Sequence, residues 1–257
     1  MSETLPVVVS VAAALALALA LERLAPHERA PASWLANAGL WAVATGLRVL
    51  VFGGAEWQVA RWTGNARFGL LALGPAPLAA AIPATVLGLD LVSYLWHRAN
   101  HRVPLLWRFH RVHHADPVVT ASTSLRFHPG EILLSLPVRL AAIALLGAPL
   151  AGVVAFEAVF GAANALEHGN FEMPGRVERA LDRALVTPAL HRRHHAVSRA
   201  EHDANYGTIF AFWDLWLGSR CPGASSDRFP IGLPAGATGE PRGLGAMLLE
   251  PFRAATR

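Results

Sequence analysis

Long apolar segments with few interrupting charges follow one another along the first two thirds of the chain. Three of them occupy residues 5–21, 34–52 and 70–96. A helix needs about 20 apolar residues to cross a bilayer, so each segment is predicted to span a membrane. In the third, Pro75, Pro77 and Pro83 predict that regular helix is confined to about residues 84–96, after a distorted lead-in.

The first segment has an alternative interpretation as a cleaved signal peptide. No basic residue precedes it, and Glu22 and Arg23 follow it where a small-residue cleavage site would be expected. Pro6 lies where the start of a helix tolerates proline. We therefore expect this segment to be retained as a membrane helix.

A fourth apolar stretch, residues 132–166, is interrupted in its middle. Gly147-Ala148-Pro149 breaks it into two arms, and these carry Arg139 and Glu157. Each arm alone is marginal for crossing a bilayer. The pattern predicts a helical hairpin that enters the membrane and returns, so the chain before and after it faces the same compartment.

The composition supports a membrane protein. Hydrophobic residues make up 53% of the 257 residues and charged residues 16%, and the mean hydropathy is +0.36. Soluble domains carry about 25% charged residues. One cysteine, Cys221, excludes an intrachain disulfide and a thiolate metal cluster. We expect three parts: membrane helices in residues 1–83, a catalytic domain in 84–219 and an irregular tail in 220–257.

The distribution of charge predicts how the chain is oriented. Residues 1–97 hold five arginines and five acids, whereas the remainder holds 17 arginines and 13 acids. This asymmetry is more typical of the cytoplasmic face of a membrane protein than of a nucleic-acid interface. We expect a bacterial cytoplasmic membrane protein with both polar stretches around the hairpin inside. The amino terminus then lies outside if all three preceding segments cross.

Eight of the twelve histidines fall into three short clusters. They are His97 and His101; His110, His113 and His114; and His191, His194 and His195. Residues three or four apart share one face of a helix, so each cluster can present imidazoles to one point. Adjacent histidines point about 100° apart and can reach different ions. The repeated pattern predicts a two-metal centre, although histidine-rich surfaces can also bind metals adventitiously.

Imidazole ligands alone do not identify the metal, since iron, zinc, copper and nickel all accept them. A zinc hydrolase motif such as H-E-x-x-H supplies a glutamate base. No acid lies within the three clusters, and arginine follows each leading histidine. A base for hydrolysis is therefore missing where a zinc hydrolase would need it. A zinc-dependent membrane hydrolase and a histidine-rich metal transporter remain the alternatives.

The three clusters resemble the histidine boxes of the fatty acid hydroxylase / sterol desaturase superfamily. The resemblance covers about residues 90–219. Further matching pieces are Asp90-x3-Tyr94-x-Trp96-His97-Arg98, Arg126-Phe127-His128-Pro129-Gly130-Glu131, Asn205-Tyr206-Gly207 and Trp213-Asp214-x-Trp216-x-Gly218. The resemblance implies an all-α integral membrane bundle, with about three spanning helices, the hairpin and a cytoplasmic helical cap that carries the metal site.

The resemblance also implies the ligands. The eight clustered histidines match family ligands, and His168 matches a further one; no catalytic residue beyond the metal ligands is expected. Asn164 stands where relatives can carry a partner histidine. Supporting roles around the ligands are expected for Asp90, Asn164, His128, His202 and Asp116, with Glu131, Glu167 and Asp203 as further candidates.

The implied reaction is O2-dependent attack by two iron ions on a C–H bond of a lipid, either hydroxylation or desaturation. The hairpin arms, residues 132–146 and 150–166, are candidates for the walls of a substrate channel. No G-x-G-x-x-G unit or C-x-x-C-H haem site is present, so electrons are expected from a separate carrier or reductase. Whether the lipid is a sterol, fatty acyl chain, sphingoid base, ether lipid or carotenoid is left open.

Overall fold

The computed structural model describes residues 3–29, 33–74, 77–221, 227–233 and 243–253, and its regular structure there is helical. The longer helices are α1 (Thr4–Leu24), α2 (Trp34–Phe52), α3 (Ala55–Ala66), α4 (Leu78–Arg102), α5 (Pro104–His114), α6 (Pro129–Leu146) and α7 (Leu150–Glu167). Short helices follow: α8 (Gly175–Leu181), α9 (Pro188–His194), α10 (Arg199–His202), α11 (Phe212–Trp216) and α12 (Leu244–Leu249). The predicted all-α fold is confirmed.

Five of the described helices, α1, α2, α4, α6 and α7, are long and apolar enough to cross a bilayer. The protein is an integral membrane protein. The three predicted segments and the two hairpin arms account for these five helices, and α2 has the predicted bounds.

The contacts of its two ends show at which end of the bundle α1 begins and ends. Glu22, near the end of α1, accepts hydrogen bonds from the backbone N–H groups of Ala121 (2.6 Å) and Asn170 (2.9 Å). Glu3, just before the start of the same helix, pairs with Arg61 of α3. The start of α1 therefore lies at the end of the bundle opposite the 121 and 170 loops.

The third apolar segment forms a longer helix than predicted. A 3₁₀ turn spans Leu70–Ala72, and α4 then runs without interruption from Leu78 to Arg102. Pro83 lies inside it, near the amino end, where it costs one backbone hydrogen bond without ending the helix. The prediction of regular helix only over 84–96 was wrong at both ends, and Pro75 lies outside the described residues.

The hairpin is present, but its arms diverge. The turn at Gly147 has φ +66°, and a side chain there would clash with the carbonyl oxygen of Phe68. Beyond the turn, α6 packs mainly on α2 and α3, and α7 packs on α1 and α4. Arg139 and Glu157 join the two arms through an N–O contact of 2.6 Å. The separation leaves room for a cavity between the arms.

Helix α3 lies in a stretch for which the apolar pattern predicts no element. It packs against α6 and α7 at the hairpin end of the bundle. Its Glu56 is buried and pairs with Arg48 of α2 at 2.5 Å. This helix therefore closes the bundle at the end that holds the hairpin turn.

The carboxy-terminal stretch is less irregular than predicted. Helix α12 buries Met247 against Leu40 of α2 and Val112 of α5. Residues 222–226, 234–242 and 254–257 lie outside the described part of the chain. The division at residues 83 and 219 stays a prediction.

Candidate metal centre

Four helix ends bring the predicted histidines to one end of the bundle. The first cluster lies in the last turns of α4, the second ends α5, the third lies in α9, and His168 follows α7. Pro104 and Pro188 occupy the first positions of α5 and α9, where proline is already set for helix. These prolines fix where both helices begin and place each H-x-x-H-H sequence at the carboxyl end of its helix.

The nine predicted histidines separate into two groups. The first histidine group consists of His97, His101, His110, His114 and His194. The second histidine group consists of His113, His168, His191 and His195. Within each group, one ring nitrogen per residue lies within 4.8 Å of all the others.

The spacing within the groups is that of ligands around an ion. The Nε2 atoms of His113 and His168 are 3.1 Å apart, and those of His168 and His191 are 2.8 Å apart. In the first group, the Nε2 atoms of His110 and His114 are 3.2 Å apart. Metal–nitrogen bonds of about 2.0–2.1 Å place neighbouring ligand atoms about 3 Å from each other. The donor set can therefore hold one ion per group.

The doubled histidines divide between the groups, as their 100° separation predicts. His113 belongs to the second group and His114 to the first, while His194 belongs to the first and His195 to the second. The rings of His114 and His195 stack with centroids 4.3 Å apart. Two adjacent sites therefore share one centre, whereas metal ligation itself stays a prediction.

Burial keeps the histidines in their metal-binding form. All nine side chains are buried. Burial, and then the charges of neighbouring imidazoles, holds the pKa of His113, His114, His191 and His195 well below its ordinary value. Burial lowers the pKa of His168 to about 4. These rings are therefore neutral at pH 7, the state in which imidazole coordinates a metal.

Three ring nitrogens are available to bind an ion because no described residue forms a hydrogen bond with them. The Nε2 atoms of His97, His101 and His194 are buried and have no hydrogen-bond partner among the described residues. A buried polar atom without a partner costs about 1–3 kcal/mol. An ion bound by the first histidine group would use these lone pairs and remove that cost.

A carboxylate forms a hydrogen bond with one histidine of the second cluster. Glu131 of α6 accepts a hydrogen bond from Nδ1 of His110 at 2.9 Å, and Asn100 of α4 donates to the same oxygen at 3.0 Å. Such a partner fixes the tautomer, because the proton on Nδ1 leaves Nε2 free for a metal. Glu131 was one of the further candidates from the sequence.

Backbone carbonyls support two histidines of the first group. Nδ1 of His97 donates to the carbonyl of Tyr206 at 3.0 Å, and Nδ1 of His194 donates to that of Ala204 at 2.7 Å. Asn205, between them, has the left-handed φ of +56°. Its side chain bonds both the N–H and the carbonyl of Cys221 at 2.8 Å. Histidine spacing could not reveal this segment; its only trace in the sequence was the Asn-Tyr-Gly motif.

Two of the predicted supporting residues lie beside the groups. The carbonyl of Asn164 accepts from Nδ1 of His168 at 2.7 Å, while the Asn164 side chain donates to the carbonyl of Ser124 at 3.0 Å. The His202 ring lies 4.6 Å from that of His114 and 4.8 Å from that of His101. Asn164 therefore orients a predicted ligand through its backbone, and His202 borders the first group.

The other three supporting residues hold the surrounding structure. Asp90 accepts four hydrogen bonds from the segment 208–213. Asp116 accepts from Thr123 at 2.8 Å and from Asn37 at 3.2 Å. His128 caps α6 through Nδ1 and bonds the carbonyl of Leu248 through Nε2. Each of these hydrogen bonds joins one of the three residues to a partner outside both histidine groups.

A cavity of about 310 Å³ connects the histidines to the interior of the bundle. Members of both groups line it, including His97 and His113. It continues between α2, α4, α6 and α7, where the lining includes Leu136 and Phe160 from the two hairpin arms. An apolar molecule in this cavity would reach both histidine groups.

Replacing Glu131 with glutamine is expected to weaken metal binding by about 10–100-fold, because supporting groups of this kind contribute that much to affinity. Glutamine keeps the shape of the side chain but supplies a weaker acceptor for His110. The measurement is competition with a chelator on purified protein. Glu172→Gln, which alters a carboxylate paired with Arg228 outside both groups, is the matched control. Equal metal affinity in E131Q and wild type would contradict the assigned role.

Sequence comparisons relate this chain to several known proteins. The chain is 34% identical over 171 residues to an ornithine lipid hydroxylase, OlsE, of Rhizobium tropici, covering 65% of this chain and 50% of that protein. It is 32% identical over 150 residues to an alkylglycerol monooxygenase of Danio rerio, covering 57% of this chain and 31% of the relative. It is 24% identical over 131 residues to a human cholesterol 25-hydroxylase, covering 51% of this chain and 47% of the relative.

The chain thus spans about half the length of the first of these relatives and less of the others. No solved structure matches it. The model of the fatty acid hydroxylase family matches residues 82–219, just over half of the 257-residue chain. That region contains the nine histidines of both groups, and the chain belongs to the fatty acid hydroxylase family.

Proposed function

We propose that this protein is a membrane-bound, O2-dependent lipid hydroxylase that holds one iron ion in each histidine group. The observation that carries the proposal is the position of two groups of buried histidines at the head of a cavity between apolar helices. Relatives named as hydroxylases and monooxygenases of lipids support the same activity. They favour hydroxylation over desaturation.

The residues of the chain have three tasks in this function. The nine histidines hold the ions, and Glu131 with the carbonyls of residues 164, 204 and 206 orients four of the rings. The hairpin arms exclude water and place a C–H bond of the lipid beside the ions. When bound, the iron pair supplies activation of O2 and attack on that C–H bond.

Electrons for this reaction are proposed to come from a separate carrier or reductase. The arginines around the histidine groups support a cytoplasmic position for the metal centre by the positive-inside rule. Because α1 starts at the opposite end of the bundle, the amino terminus then faces outward. We propose a bacterial cytoplasmic membrane as the location.

The test is a reaction with isotopically labelled O2. Protein purified without oxygen is expected to contain about two iron ions per chain. With a reductant and a lipid extract from its host, it should release lipids that carry one labelled oxygen atom. A product that lacks two hydrogen atoms and gains no label would assign desaturation instead.

The alternatives predict other outcomes of the same experiment. A zinc hydrolase would contain zinc and turn over without O2 or reductant. A metal transporter would move ions across the membrane of a vesicle without changing any lipid. Either result would overturn the proposal.

A further inference from the structure

Four charged residues line the cavity at a distance from the histidines. Arg48 of α2 pairs with Glu56 of α3, with an N–O distance of 2.5 Å. Arg139 of α6 pairs with Glu157 of α7 at 2.6 Å. We call these four residues the charged cluster. None of them contributes to either histidine group.

Charges inside apolar helices are costly. Arg139 and Glu157 lie near the middle of α6 and α7, which are apolar enough to span a bilayer, and Arg48 lies near the end of α2. Ionisable residues inside membrane segments are rare and generally mark functional sites that face the interior of the bundle. These residues follow that pattern, because they line the cavity.

The guanidinium group of Arg139 is held in a fixed position. It lies over the rings of Phe156 and Phe160, with its central carbon 5.4 Å and 5.2 Å from their centroids. The side chain of Arg48 is 34% exposed and those of Arg139 and Glu157 are 22% and 13% exposed, whereas that of Glu56 is 2% exposed. A polar molecule that enters the cavity can therefore reach both arginines and Glu157.

The cavity has the histidine groups at one end and the charged cluster at the other. Along α6, Arg139 lies eight residues beyond Glu131, which is about 12 Å at 1.5 Å per residue. Along α7, Glu157 lies eleven residues before His168, which is about 16 Å. Between these ends the wall includes Ile132, Leu136 and Phe160. An amphiphile with one polar end and an apolar chain is complementary to this layout.

We propose that the charged cluster binds the polar end of the substrate lipid, and that this end is a zwitterion with one cationic and one anionic group. The proposal rests on the hydroxylase function proposed above. Two arginines and two glutamates sum to zero charge, and the exposed parts of the arginines and of Glu157 offer partners for both signs. An anionic head group would also meet the Glu157 carboxylate, and an uncharged one would leave the exposed charges without a new partner.

This arrangement makes the position of oxidation depend on the polar end of the lipid. If the charged cluster holds that end, the carbon next to the histidine groups lies at a fixed distance from it. Lipids with longer chains should therefore be hydroxylated at the same number of carbons from the head group. The distance from the terminal methyl group should vary instead.

The first test measures lipid binding to the iron-loaded protein without O2 or reductant, so that it does not depend on the reaction. The protein is incubated with three lipids of equal chain length: one with an amine and a carboxylate in its head group, an anionic phosphatidylglycerol and an uncharged diacylglycerol. Native mass spectrometry then measures the lipid retained. Wild-type protein is expected to retain the zwitterionic lipid at least about tenfold better, a difference of about 1.4 kcal/mol, because only this lipid has partners for both signs of charge. Equal retention of all three lipids would overturn the proposal.

The second test removes the charges while keeping shape. R139Q/E157Q preserves hydrogen-bonding groups between the arms and is expected to lose the preference for the zwitterion. The matched control is E3Q/R61Q, which changes another Glu–Arg pair between helices that does not line the cavity. Thermal unfolding and iron content report whether each variant folds. An R139Q/E157Q protein that binds iron and keeps the full preference would refute the assigned role.

A third measurement uses wild-type enzyme and needs no variant. Products from zwitterionic lipids of increasing chain length are fragmented to locate the hydroxyl group. A constant position relative to the head group supports the charged cluster as the anchor, whereas a constant position relative to the methyl end contradicts it. If no hydroxylation occurs but the binding preference is present, the proposed function fails and the head-group site stands.

Discussion

His113→Ala is expected to abolish hydroxylation and to lower the iron content from about two ions per chain to about one. The second histidine group has four members, so the substitution leaves three and removes one of the imidazoles that would hold the ion of that group. His194→Ala should also abolish activity, but the first group keeps four histidines and has His202 nearby. We therefore expect His194→Ala to retain more iron than His113→Ala.

The control for both variants is His128→Ala. This histidine is also buried, but it caps α6 and bonds the carbonyl of Leu248 outside the two groups. Its loss should cost about 1 kcal/mol of stability, as for other helix caps, and leave the iron content unchanged. Iron is measured by elemental analysis of protein purified without oxygen. Full activity of His113→Ala, or an iron content equal to that of wild type, would refute the two-site assignment.

Asp90→Ala is expected to produce the largest loss of stability among residues outside the histidine groups. Asp90 is buried in α4 and accepts from the side chains of Thr208 and Trp213 and from two backbone N–H groups, at 2.7–3.2 Å. Alanine would leave these donors without a partner. Hydrogen bonds to a charged group contribute about 1.5–3 kcal/mol each, so we expect a loss of at least about 3 kcal/mol.

The comparison with Asp90→Asn separates charge from shape. Asparagine preserves the size of the side chain but offers one acceptor oxygen in place of two, so an intermediate loss is expected. Thermal unfolding of metal-free protein in detergent gives the stability directly. An Asp90→Ala protein that unfolds within a degree or two of wild type would show that the segment 208–213 is held by other contacts.

The sequence allowed the histidine site to be predicted because its spacing is local. In H-x-x-H-H, the helical period alone determines which rings share a face, and it predicts that His113 and His114 belong to different groups before any tertiary contact is known. The bounds of α2 were equally accessible, since an apolar run of 19 residues ends at two glycines. Both predictions depended on short stretches of chain.

The remaining features depend on contacts between distant segments. The carbonyls of Ala204 and Tyr206 reach their histidines only because Asn205 adopts a left-handed conformation and bonds Cys221. Helix α3 carries too few apolar residues to be distinguished from a loop, yet Glu56 becomes buried against Arg48. Neither the partner of a carbonyl nor the burial of a charge can be derived from periodicity.

Helix α1 lies outside the region that matches the family, yet it belongs to the same structural unit. It packs along α7, where a side chain at Gly161 would lie 2.5 Å from Val11, and its Glu22 holds the loops at Ala121 and Asn170. A fragment that starts at residue 82 would expose the outer side of α7 and release two loops that flank the second and third histidine boxes. We therefore expect the family-matched region to need the first helix in order to fold.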